Sequence, residues 1–186
     1  MFEGPIPVIE TARLLLRQFN TEDASRVKKL AGEEDVARNT LAMPFPYLDG
    51  MAEAWIGTHV NDFHEGKSVI WAITLNDSTL LIGAIGLSLQ LPYMLAEMGY
   101  WIGREYWNQG YCTEAVRAAL DYGLNQLKLH KVTASHFGNN PASGRVMQKA
   151  GMTYEGTLRS HMLHWNEYKD LVYYGIIREE NSSVSG

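Results

Sequence analysis

The chain predicts one mixed α/β domain whose central sheet is partly antiparallel, and three observations carry that expectation. Apolar stretches of strand length alternate with segments of helical periodicity. Two of those stretches, 68–75 and 80–90, are joined only by Asn76-Asp77-Ser78-Thr79, a hairpin signal that antiparallel strands satisfy. A length of 186 residues suffices for one well-cored domain and is short for two.

The elements follow in order. Residues 13–19, Arg-Leu-Leu-Leu-Arg-Gln-Phe, read as a first strand. Asn20 and Thr21 can cap a helix with Glu22 and Asp23 in its first turn and Val27 and Leu30 on one face. Pro44 and Pro46 each restrict the residue before them, so 43–47 cannot be regular helix. That segment separates helices near 35–41 and 51–64, the second with Trp55, Ile56, His59, Val60 and Phe63 at helical spacing. The hairpin strands come next, then a strand over 97–102 and a helix over 113–127 that turns Val116, Ala119, Leu120 and Leu127 inward. A strand over 130–137 precedes a short helix, 141–150, which starts at Pro141 and ends at Gly151. Residues 171–177 make the last strand; 1–180 form the domain and 181–186 a disordered tail. The order is β-α-α-β-β-β-α-β-α-β, without internal repeats or low-complexity blocks.

Composition narrows the function. A hydrophobic content of 46% with 20% charged residues is that of an ordinary globular protein. The net charge of −5 argues against broad nucleic-acid binding, so an anionic ligand must be met by local donors. The single cysteine, Cys112, excludes an internal disulfide and any multi-cysteine metal site, and no metal is expected. No apolar run reaches membrane-spanning length, and the N-terminus lacks a basic-then-apolar signal; the expectation is a cytoplasmic protein with no membrane contact.

Residues 96–115 carry the most chemistry: a half-buried strand, a polar turn around Gly110, then a helix. Such a turn leaves free N–H groups at a helix start, which together with the helix dipole favour a phosphate. No Lys follows Gly110 as a nucleotide-hydrolysing loop requires, and no G-x-G-x-x-G pattern is present. The segment therefore suggests a pyrophosphate held by backbone, as in a coenzyme.

Three blocks resemble the GNAT superfamily of acyl-CoA N-acyltransferases, in particular its RimJ/RimL-like branch. Ala96-Glu-Met-Gly-Tyr-Trp-Ile102 is similar to the family's fourth strand, and Trp107-Asn-Gln-Gly-Tyr-Cys-Thr-Glu-Ala115 to its pyrophosphate turn. Residues 139–152, beginning Asn-Asn-Pro-Ala-Ser, are similar to its Asn-x-x-Ser helix. The order and spacing of the elements agree from about Ile9 to Arg178. Trp107 stands where many members have Gln or Arg, Cys112 where they have Gly or Ala, and Met147 where many carry a Tyr acid for the leaving thiol.

The resemblance implies a mostly antiparallel sheet with helices on both faces and a fourth strand that splays from the fifth. It implies acetyl-CoA as donor and direct transfer to an amine, by a monomer or homodimer. The acceptor implied is a protein N-terminal α-amine of the ribosomal-protein alanine or serine type. A small amine (a polyamine, amino acid or aminoglycoside) competes with it, and a non-catalytic acyl-CoA-binding regulatory module is the reading from another class. Pantetheine would run along Tyr100, Trp101 and Ile102, with an oxyanion donor from this strand. Trp107, Asn108, Gln109, Gly110, Tyr111, Cys112 and Thr113 would seat the pyrophosphate, and Asn140 and Ser143 would meet the coenzyme from the helix they begin.

Glu97 is the expected base, directly or through water, its carboxylate shielded by Met98 and Tyr100; a merely solvated strand Glu is the plain alternative. His136 is the second candidate, although a lone His is more often structural. Ser143 takes the role of acid toward the leaving sulfur, while simple helix capping would also explain Asn140 and Ser143. Arg104, Arg145 and Lys149 flank the expected coenzyme mouth. Trp55, Phe63, Trp71 and Tyr93 are expected in the core, and Tyr47, Trp101 and Trp165 around an acceptor pocket.

Overall fold

The computed structural model describes residues 2–181. Eight strands form one sheet in the order β1-β2-β3-β4-β5-β6-β8-β7. They are β1 (Ile9–Glu10), β2 (Leu14–Arg17), β3 (Ser68–Leu75), β4 (Leu81–Gln90), β5 (Leu95–Ile102), β6 (Lys131–Phe137), β7 (Thr153–His164) and β8 (Glu167–Ile177). Every neighbouring pair is antiparallel except β5 and β6, which run parallel. Helices α1 (Ala24–Ala31), α2 (Glu34–Arg38), α3 (Met51–His64), α4 (Tyr111–Asp121) and α5 (Pro141–Lys149) complete the domain, with a short α6 (Arg178–Asn181). Of the expected disordered tail, 181–186, Asn181 closes α6 and the remainder lies outside the described residues.

Strand alternation sorts side chains onto two faces. One face packs Met98 and Ile102 of β5 and Val132 and Ala134 of β6 with Ala115, Val116 and Ala119 of α4 and Met147 of α5. The other packs Ala72, Ala84 and Trp101 with Val27 and Leu30 of α1, Val36 of α2 and Ala52 and Ile56 of α3. β3 is covered on both sides and reads as a continuous apolar run, with Trp71 fully buried and its Nε1–H donating to the Pro7 carbonyl at 2.7 Å.

The sequence expectations hold for the core of this layout and need correction at its margins. The 113–127 helix begins two residues earlier, at Tyr111, and after Asp121 continues as one π-helical turn, Tyr122–Gln126. β7 is not legible from periodicity: its twelve residues are mostly exposed and lack the alternation that marks a half-buried strand, because it is the sheet's edge and pairs only with β8. Tyr93, expected in the core, is 72% exposed in the turn between β4 and β5. Phe63 and Trp71 are core residues as expected, and Trp55 packs against the core from a partly buried position.

Candidate active site

The site begins where the parallel pair comes apart. β5 and β6 are in register from Leu95–Lys131 to Met98–Ala134, after which both strands continue without pairing to each other. The backbone of residues 99–102 is thereby left facing a gap, as the expected splay requires. A cleft of about 490 Å³ opens here. Tyr100, Trp101 and Ile102 form one wall; Asn140, Ser143, Arg145 and Lys149 of α5 form the other. Trp107, Asn108, Gly110, Cys112 and Thr113 close its end, and Val36 of α2 with Asn39 and Thr40 just after it reach it from the side.

The turn at that end has the backbone of an anion seat. Asn108 and Gly110 take positive φ, +61° and +82°, and Gly110 is the residue from which α4 starts. The first ladder bond of α4 runs from the Glu114 N–H to the Gly110 carbonyl at 3.1 Å, so the amides of residues 111–113 precede the ladder and are left for a ligand. Side chains in the turn brace it: Trp107 Nε1–H donates to the Ile102 carbonyl at 2.7 Å and Gln109 Nε2 to the Glu105 carbonyl at 2.9 Å. Gln109 and Tyr111 belong to the turn but lie outside the cleft lining, Tyr111 being stacked beneath the Arg13 guanidinium at 4.6 Å.

Ser143 is positioned from both sides. Its amide donates to Asn140 Oδ1 at 3.4 Å, the N-cap bond that α5 predicts of an Asn before a proline. Its Oγ lies 2.8 Å from the Tyr100 hydroxyl, which also donates to the Ser143 carbonyl at 3.2 Å. Burial pushes the Tyr100 hydroxyl well above the usual phenol range, so it stays a proton donor. Partly exposed Cys112 lines the same cleft, and packing around its thiol pushes it up to about 12, which removes it as a nucleophile at neutral pH. Met147 is fully buried in the core and presents nothing to the cleft.

The two candidate bases lie on opposite faces of the sheet. Glu97 is exposed, one position before the pairing of β5 and β6 ends, on the face that packs α1, α2 and α3; Ser135 Oγ donates to its Oε1 at 3.4 Å. Alternation turns Met98 and Tyr100 to the other face, so they do not shield Glu97 as expected. His136 sits on the α4–α5 side, its Nδ1 2.7 Å from the Phe137 carbonyl; a methyl group at Gly144 would come within 2.7 Å of its Nε2. Those contacts pack its ring against α5. Arg104 pairs with Asp35 at 2.9 Å, whereas Arg145 and Lys149 do line the cleft.

Beyond Glu97 the same face is closed by the β7–β8 hairpin tip. Trp165 packs on Phe45 at 5.1 Å and under the Arg38 guanidinium at 4.8 Å, and His164 stacks near Phe137 at 4.8 Å. Of the expected acceptor residues, Trp165 is in this tip and Trp101 borders the cleft, while Tyr47 packs against the α1–α3 core. Sequence reasoning missed Val36 and the side-chain partnership of Tyr100 with Ser143. Both join segments far apart in the chain, and no local pattern announces either.

Comparison with known proteins bears on this geometry. Residues 13–153 match the family model described as an acetyltransferase (GNAT) domain. An uncharacterized N-acetyltransferase of Bacillus subtilis, YoaA, is 31% identical over 92% of this chain and 97% of its own length. The [ribosomal protein uS5]-alanine N-acetyltransferase of Escherichia coli is 25% identical over 88% and 87%. A crystal structure of a GNAT-family acetyltransferase from Bacillus anthracis superposes with a TM-score of 0.83 at 29% identity, covering 93% of this chain and 99% of that one.

Proposed function

Since this chain belongs to the GNAT acetyltransferases, whose acetyl donor is acetyl-CoA, we propose that it transfers acetyl directly to a primary amine, the acceptor being a protein N-terminal α-amine of the ribosomal-protein alanine or serine type. The observation that carries the reading is the stretch of β5 after Met98 that no longer pairs with β6, open to the Gly110 turn at one end and to Ser143 at the side. Pantetheine would complete the gap as an extra strand, its diphosphate on the amides of residues 111–113.

The coenzyme and the amine would then meet from opposite faces of the sheet. On the Glu97 face the amine loses its proton to the carboxylate, directly or through a water held by Ser135, and its nitrogen attacks the thioester carbon. The oxyanion is met by a backbone N–H in the unpaired part of β5. As the C–N bond forms and the C–S bond breaks, the Ser143 hydroxyl hydrogen-bonds to the departing sulfur, its direction set by Tyr100. Positioning of this kind is worth roughly 7–11 kcal/mol of barrier.

Thermal denaturation with acetyl-CoA, NAD or ATP tests the donor. Acetyl-CoA at about 100 times its Kd adds about 2.7 kcal/mol, a rise of roughly 5–10 °C for a chain of this size, and the other two leave Tm unmoved. A thiol-release screen over ribosomal-protein N-terminal peptides, polyamines, amino acids and aminoglycosides tests the acceptor. Turnover of a small amine with none on the peptides would replace the acceptor named here.

A further inference from the structure

We propose that Arg13 is a positioning residue for the coenzyme: by cancelling the charge of Glu114 in the first turn of α4, it keeps the Gly110 turn receptive to a diphosphate. The inference rests on the coenzyme reading of that turn given above.

The contacts are specific and cross about a hundred residues of sequence. Glu114 Oε1 accepts from the Thr11 hydroxyl at 2.7 Å and from the Arg13 amide at 2.8 Å; Oε2 accepts from Arg13 Nε and Nη2, both at 2.7 Å. The same guanidinium uses Nη1 to hold the Gln109 carbonyl at 2.9 Å and lies over the Tyr111 ring. It so closely borders the glycine that a methyl group there would stand 3.3 Å from Nη2. One side chain thus ties down the residues on either side of Gly110.

The electrostatic consequence follows from where Glu114 sits. A carboxylate in the first turn of a helix suits the helix dipole but opposes a second anion at the same end. Partial burial works against its ionisation, yet the bonds from Thr11 and Arg13 hold Glu114 below the usual carboxylate range, so its charge is present at neutral pH. Arg13 cancels that charge in place and also draws the Gln109 carbonyl, the other negative end in the turn, toward itself. A purely structural strap would need the hydrogen bonds but not the charge balance, and this separates the two roles experimentally.

Calorimetric titration of acetyl-CoA into the wild-type chain, Arg13→Gln, Glu114→Gln and the double variant tests the proposal, with the Tm of each recorded. Arg13→Gln should weaken acetyl-CoA by about tenfold, with kcat at saturating coenzyme and the amine KM each within about twofold of wild type. Adding Glu114→Gln should restore affinity to within about threefold, and Glu114→Gln alone should not weaken it. Unchanged affinity in Arg13→Gln, a double variant as weak as the single one, or a tenfold loss in Glu114→Gln would each overturn the role. Should Arg13→Gln lose its cooperative thermal transition, Glu114→Gln decides alone. If the wild-type chain itself does not bind acetyl-CoA, the coenzyme reading falls and the positioning role of Arg13 falls with it.

Discussion

At the scale of single residues, the site divides its work between two faces of one strand. Consecutive residues of β5 point in opposite directions, so under the proposed function Glu97 and Tyr100 address different reactants. Their variants should differ accordingly. Glu97→Gln should lower kcat/KM for the amine by about 10²-fold and change the acid limb of its pH profile, since the lost group is the one that takes the proton. Tyr100→Phe keeps the ring and removes only the bond to Ser143, so kcat should fall by about tenfold with an unmoved pH profile and an unmoved acetyl-CoA KM. The deficit should shrink with a thioester whose thiol leaves more readily. Identical pH profiles for wild type and Glu97→Gln would remove the carboxylate from the reaction. The motif residues themselves were legible in the chain, because Gly110, Asn140 and Ser143 shape a turn and a helix start within a few residues. Tyr100 was legible as part of the strand expected along the pantetheine, but its bond to Ser143 was not, because that partner comes from a helix 43 positions later.

At the scale of elements, the decisive feature is a defect in pairing. β5 and β6 share four register positions and then part, while β4 and β8 remain paired to their outer sides along most of their lengths. The gap is therefore held open by its neighbours rather than by anything within it. Gly99 is the first residue of β5 beyond the last paired position, and a Cβ added there meets no atom within 4 Å. Gly99→Val should accordingly fold with a Tm within about 2 °C of wild type, because an exposed change without clash costs little. It should nevertheless lose at least about 10²-fold in kcat/KM, the branched side chain filling the space the reacting groups need. Full activity in that variant would show that the transfer takes place elsewhere. Periodicity gave access to β3, β4, α3 and α5, whose apolar residues face a core. It gave none to β7, whose exposed edge requires no pattern, and it placed the start of α4 two residues late because the turn before it is polar.

For the whole molecule, sensitivity to acid is built into α3. His59 is 1% exposed, wedged between Phe19 and Trp55, and neither ring nitrogen has a hydrogen-bond partner among the described residues. Burial drops it from the ordinary 6.5 to about 4, against a smaller opposing pull from Asp62. The unfolded chain consequently takes up this proton first as the pH falls. The stability owed to a neutral His59 is complete above about pH 6.5 and is lost progressively down to pH 4, in total roughly 3 kcal/mol. Urea denaturation should show a loss of about 2 kcal/mol from this residue between pH 7 and pH 5, and His59→Leu should abolish that part of the slope. An equal slope in the variant would assign the acid sensitivity to other groups.

The amino-acid sequence alone determined the α/β class, the hairpin, the Gly110 turn and the Asn140–Ser143 helix start, since each follows from periodicity, proline and glycine placement or capping within a few residues. It also carried the acetyl donor through the resemblance of three ordered blocks. Only the tertiary structure decided that Tyr100 holds Ser143, that Arg13 holds Glu114, and that His136 is packed beneath α5. These are contacts between segments that the chain brings together by burying two faces of one sheet, and no local pattern encodes which residues meet there.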